Sequence, residues 1–173
     1  MKKVFFASLL AMLLLAFSLN VAPVSAKENA SGNQQTPQVE YYDANDNLVA
    51  VSNLKGKSVT TTQKMSVKKA SFYQWGYTVF SNYVWVKKGS AFKNPGAMSV
   101  ELANKPKQFE VRMYASNKKT YIGKGVVKNA SGWVPFDWRP LRKKGNSYTF
   151  KLVSAANSGR IVVNNGDLEY NVN

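Results

Sequence analysis

Neither cysteine nor histidine occurs anywhere in the 173 residues. Without cysteine there is no disulfide, no thiol nucleophile and no thiolate metal site. Without histidine, the commonest general base and the commonest metal ligand are missing too. These two absences exclude Ser–His and Cys–His catalysis and ordinary zinc sites, and nothing in the chain calls for a cofactor. Acid is also scarce, with nine Asp and Glu against 24 Lys and Arg. Beyond residue 50 the only carboxylates are Glu101, Glu110, Asp137, Asp167 and Glu169. Nothing in their spacing shows that two of them converge as a glycosidase pair must. The composition points to a binding protein rather than an enzyme.

Long apolar runs are rare as well. Residues 4–19 form the single one, broken only by Ser8 and Ser18, with Lys2 and Lys3 ahead of it and Val24-Ser25-Ala26 behind. A basic start, an apolar middle and a small-residue exit make a secretory signal over residues 1–26. An uncleaved anchor is the alternative, because about 18 apolar residues can begin to span a bilayer. The Val-x-Ala exit favours cleavage after Ala26. The expectation is a secreted, extracellular or cell-surface protein. An exported chain without cysteine suits a bacterial secretome, and a Gram-positive one more than an animal one.

What the chain has in excess is positive charge. Setting aside Lys2 and Lys3 leaves 22 bases against nine acids, a net of +13. Residues 27–50 hold one base and four acids; residues 51–173 hold 21 bases and five acids. A field of this size recruits polyanions in a salt-dependent way. For an exported protein the partners are an anionic cell-wall polymer such as teichoic acid, an acidic polysaccharide or an anionic membrane surface, and not intracellular nucleic acid. Solubility is the competing explanation, since lysine-rich loops keep edge-rich β proteins apart. An acidic segment ahead of a cationic domain also fits an antimicrobial or toxin-like protein released from a pro-region, with Lys68-Lys69 as the processing point.

Residues 27–38 are polar and read as a tether. Residues 39–51 place two short apolar runs around Asp43-Ala44-Asn45-Asp46-Asn47, which predicts a short hairpin. Asp43, Asn45 and Asn47 match the spacing of a calcium loop. The glycine and closing glutamate of such loops are missing, so the segment reads as a turn. Residues 52–69 are Ser/Thr/Lys-rich and read as a link. On this reading residues 27–69 are a flexible N-terminal segment and residues 70–173 are the folded domain.

From Ala70 onward apolar residues recur with period two. Phe109, Val111 and Met113 point inward while Glu110, Arg112 and Tyr114 point outward. Tyr148, Phe150 and Leu152 share one face. Tyr73, Trp75, Tyr77 and Val79 also fall on one face of a continuous run. Gly123 and Gly125 mark a bulge or a close backbone approach, and Asn164-Asn165-Gly166 reads as a hairpin turn. About eight strands at spacings near ten residues predict an all-β, antiparallel β-sandwich with jelly-roll-like or immunoglobulin-like connections.

Three groups of residues could carry binding. A three-residue loop after Val79 would bring Trp75, Tyr77, Tyr83 and Trp85, with Tyr73, onto one face of a two-stranded ribbon, a platform for stacking on sugar rings or lipid headgroups. Residues 132–140 place Trp133, Phe136 and Trp138 beside Asp137 and Arg139, next to two prolines that exclude a helix interior and a central strand. This stretch reads as a stiff loop that either plugs the core or faces a ligand, and it could equally wedge into a secreted enzyme as an inhibitor. The basic turns Lys87-Lys88, Lys105-x-Lys107, Lys118-Lys119 and Arg142-Lys143-Lys144 lie between strands, and those that gather at one end of a sandwich would form a cationic rim.

Overall fold

Alternation along the sequence is realised as two faces of packed sheets. The structure, a computed structural model, describes residues 37–54 and 70–173. The expected signal segment, most of the tether and the Lys68-Lys69 pair lie outside the described residues. The strands, in chain order, are β1 (Gln38–Asp43), β2 (Leu48–Asn53), β3 (Ser71–Trp75), β4 (Thr78–Phe80), β5 (Tyr83–Trp85), β6 (Phe92–Lys93), β7 (Ala97–Leu102), β8 (Gln108–Ala115), β9 (Tyr121–Lys128), β10 (Gly132–Asp137), β11 (Ser147–Ala155) and β12 (Ile161–Tyr170). Their pairing is antiparallel throughout. One sheet has seven strands in the order β2-β1-β9-β8-β11-β5, with β6 also on β11; the other has five in the order β10-β7-β12-β3, with β4 also on β12.

The sheets pack face to face, so the fold is the all-β antiparallel sandwich expected from the periodicity. Phe109, Val111 and Met113 of β8 and Tyr148, Phe150 and Leu152 of β11 fill the core from one side. Met98, Val100 and Leu102 of β7 and Ile161, Val163 and Leu168 of β12 fill it from the other. Aromatic rings bridge the sheets: Phe109 meets Phe136 at 6.1 Å between ring centroids, and Trp138 meets Phe150 at 4.9 Å.

The folded domain begins earlier than Ala70. The hairpin β1–β2 forms around the Asp43 turn, and β1 also pairs with β9 through five residues. Its inward side chains Val39 and Tyr41 are fully buried, and the Tyr41 hydroxyl accepts a hydrogen bond from Asp137 N–H at 2.7 Å. Val39 and Tyr41 alternate toward the core, so the segment is part of the sandwich and not a flexible extension of it. The Asp43 carboxylate is engaged locally, accepting from the backbone N–H of Asn45 and of Asn47 at 2.9 Å each and from the Asn47 amide at 3.0 Å. Those bonds favour its ionised form and hold its pKa below the usual value.

Two local expectations fail for the same physical reason: long-range pairing overrides local turn chemistry. Asn164-Asn165-Gly166 makes no hairpin. Residues 161–170 run as one strand, with a bulge against β7 between Val163 and Asn165. Gly166 is needed there because the Trp75 indole lies against its backbone, where a Cβ would collide with the ring. The run after Ala70 is likewise not continuous. At Gly76-Tyr77 the chain leaves β3 and re-enters as β4, so Tyr73 and Trp75 face inward while Tyr77 and Val79 face solvent.

Candidate functional site

The ribbon of aromatics does not exist, because β3 and β4 pair with β12 while β5 crosses to β11 in the other sheet. Tyr73 and Trp75 pack at the edge of the core, stacked 5.9 Å apart. Tyr77 is exposed on its own. Tyr83 and Trp85 do share a face, the outer face of the seven-stranded sheet, and there they have partners that local sequence could not reveal.

Lys151 is directly opposite Trp85, Arg112 is opposite Lys151, Lys124 is opposite Arg112 and Tyr42 is opposite Lys124. Three cations thus stand side by side on one rung, bracketed by Trp85 and Tyr42, over four strand spacings or about 19 Å. Like charges directly opposite destabilise a sheet, and each cation here has a local compensation. Arg112 donates to Glu110 at 2.7 Å. Burial works against the charged guanidinium, but the hydrogen bond and charge of Glu110 outweigh it and hold the pKa above its usual value. Lys124 pairs with Asp46 at 2.8 Å and lies over the Tyr42 ring. Lys151 has no carboxylate partner among the described residues. Its ammonium sits instead 4.4 Å from the Tyr83 ring centroid, 4.5 Å from Trp85 and 4.9 Å from Tyr114. Rings hold a cation without cancelling its charge, so Lys151 remains a net positive centre in an aromatic frame. Tyr121 extends that frame, 5.3 Å from Tyr114, and burial pushes its hydroxyl pKa up, so it stays neutral.

The basic turns divide three to one. Lys87-Lys88 follows β5, Lys118-Lys119 follows β8 and Arg142-Lys143-Lys144 precedes β11, which places all three at the same end of the seven-stranded sheet. The Lys118 ammonium donates to the Lys88 carbonyl at 3.5 Å, joining two of the turns. A hollow of about 320 Å³, lined by Ser116, Lys143 and Tyr148 among others, joins the third. The Tyr148 hydroxyl anchors that turn by accepting from Lys143 N–H at 2.6 Å. Burial, with the nearby charge of Arg139, lowers the Arg142 pKa, so an anion arriving there would be favoured. Asp43 and Asp46 are the acids of the neighbouring β1–β2 turn. The fourth basic turn, Lys105-x-Lys107, precedes β8 and so lies at the opposite end.

Lys87, Lys88 and Lys118 adopt left-handed backbone conformations, with φ of 46°, 54° and 61°. Such geometry costs a non-glycine residue on the order of 1 kcal/mol or more. Lysine at these places trades stability for a charge at the rim. Lys88→Gly is expected to raise unfolding free energy by about 0.5–1 kcal/mol, read as a higher urea midpoint with unchanged slope. A lower midpoint would show that the Lys88 side chain supports the fold.

The stretch 132–140 is not a protruding loop. Its first six residues are edge strand β10, paired along its length with β7, and Pro135 is tolerated because the other side of β10 carries no strand. Alternation separates its aromatics. Phe136 and Trp138 stack 5.8 Å apart inside the core, Trp138 fully buried, so neither can touch a ligand. Trp133 is 53% exposed on the outer face. Asp137 and Arg139 pair with each other at 3.1 Å, and Asp137 also accepts from Arg139 N–H, a local turn closure. Of the aromatics in this stretch, Trp133 is the one presented to solvent.

The two outer faces differ in sign. No strand of the five-stranded sheet carries Lys or Arg, yet its outer face holds Glu101, Asp137, Asp167 and Glu169, four of the chain's nine acids. Burial raises the Asp167 pKa, the Ser99 N–H partly offsetting this. Fold and faces together define a small β-sandwich with a cationic end, a cation–aromatic face and an acidic face opposite. The chain matches no protein-family model and no curated protein.

Proposed function

We propose that this is an exported, non-catalytic module that binds an anionic polymer of the cell envelope or its matrix, of teichoic acid or acidic glycan type. The observation that supports this reading most directly is the gathering of the Lys87, Lys118 and Lys143 turns at one sheet end, next to the Lys151 rung. The turns offer six lysines with no carboxylate within ion-pair distance among the described residues. The rung adds aromatic surface on which sugar or glycerol backbones can lie while their charges meet cations. Export rests on the sequence of residues 1–26.

Release of a toxin from an acidic pro-region is less well supported, because the acidic hairpin β1–β2 is built into the sheet. The test is binding of the purified mature chain to poly(glycerol phosphate) teichoic acid at two salt concentrations. For a flexible polyanion the affinity falls with salt to roughly the 0.7 power per charge neutralised. Four engaged lysines give a loss of about 50-fold between 50 and 200 mM NaCl. No binding at 50 mM, or binding indifferent to salt, refutes the proposal.

A further inference from the structure

On the opposite side of the molecule from the cation–aromatic rung, the outer face of the five-stranded sheet forms an open cleft of about 420 Å³. That volume falls within the range of about 300–1,000 Å³ usual for ligand sites. Its chemistry is unlike the rest of the protein. On one rung Trp133 is opposite Glu101, which is opposite Asn165; on the next, Ser99 is opposite Asp167, which is opposite Gln74. The Asn165 amide donates to Glu101 at 2.7 Å, which fixes both side chains. Trp75, Gly76 and Gly166 complete the lining between Gln74 and Asn165.

We infer that this cleft is a second binding site, for a neutral pyranose oligosaccharide, with Trp133 as the stacking platform and Gln74, Asn165 and Asp167 as hydroxyl partners. Three features carry the inference. Trp133 is half exposed and lines the cleft, so its indole face is open to stack against a flat apolar surface. Amide and carboxylate groups one strand spacing apart give the mixture of donors and acceptors that vicinal hydroxyls need. Arg139 pairs with Asp137 and Glu169, but Glu101 and Asp167 beside the cleft have no basic partner among the described residues, so the cleft disfavours anionic polymers. Phe72, 64% exposed on β3, lies at the far edge from Trp133, so an oligomer spans more of the surface than a single sugar does.

The experiment is calorimetric and NMR titration of the full mature chain with glucose, cellohexaose, maltohexaose and a hexamer of N-acetylglucosamine, at 50 and 500 mM NaCl. One or more hexamers should bind, more tightly than glucose and with affinity independent of salt. Trp133→Ala and Asp167→Asn should each weaken binding at least about tenfold. Near-UV circular dichroism and the melting temperature of each variant check that the fold is kept, Trp133 being exposed and Asp167 half-buried on the outer face. Lys118→Glu should leave hexamer affinity unchanged. The proposal falls if no hexamer binds at 5 mM or if Trp133→Ala binds as well as the parent. It also falls if hexamer binding is lost with salt or in Lys118→Glu, since the sugar would then sit at the cationic side. Teichoic acid binding fails or survives separately, through its salt dependence.

Discussion

A chain that begins at Ala70 is expected not to fold. It loses the fully buried Val39, at about 1.5–3 kcal/mol, and Tyr41, comparable to a large buried aromatic at about 3–5 kcal/mol. It also exposes the edge of β9, whose lost ladder bonds add about 1 kcal/mol each. The sum is about 10 kcal/mol, as large as the whole stability of a typical domain at about 5–15 kcal/mol. Far-UV circular dichroism and a urea melt of residues 70–173 beside residues 27–173 check this. A cooperative transition in the shorter chain with a slope close to that of the longer one would show that the hairpin is dispensable, and would revive release at Lys68-Lys69. Intact mass from culture supernatant is the companion measurement, with Lys27 the expected first residue.

Replacing Lys87, Lys88, Lys118 and Lys119 with glutamate should abolish polyanion binding. Each basic residue near an anionic surface contributes roughly 1 kcal/mol. Losing four costs about 4 kcal/mol, or nearly a thousandfold in affinity, before the new repulsion is counted. Fluorescence polarisation against teichoic acid at 50 mM NaCl reads the change. The same reversal at Lys105 and Lys107, at the far end of the sheet, is the control and should lower affinity less than tenfold through the change in net charge alone. Equal losses from the two ends would mean that the overall field binds the polymer and the rim does not.

Much of the fold is legible locally because a strand's buried face is written in its own alternation. Phe109, Val111 and Met113, and again Tyr148, Phe150 and Leu152, point where their spacing says. Turn chemistry at Asp43 is also readable, since the Asx bonds reach only two to four residues. What local sequence does not carry is which strand lies beside which. Tyr114 and Lys151 can each be read as outward-facing from their neighbours. Their meeting with Tyr83 and Trp85 depends on β5 crossing to β11, a pairing across some seventy residues that no local pattern encodes. The stretch 132–140 misleads for a different reason. Prolines signal a break, yet on an edge strand a missing N–H faces no partner, so the strand simply runs on.

The opposed charges of the two sheet faces give the molecule a built-in electric polarity. Near a negatively charged wall such a body does not tumble freely. It turns its lysine-bearing side toward the surface and its acidic side away. In the proposed mode of binding the Trp133 cleft then looks outward, clear of the polymer. An adsorbed layer would therefore be oriented, with one binding face spent on attachment and the other displayed to whatever approaches from outside.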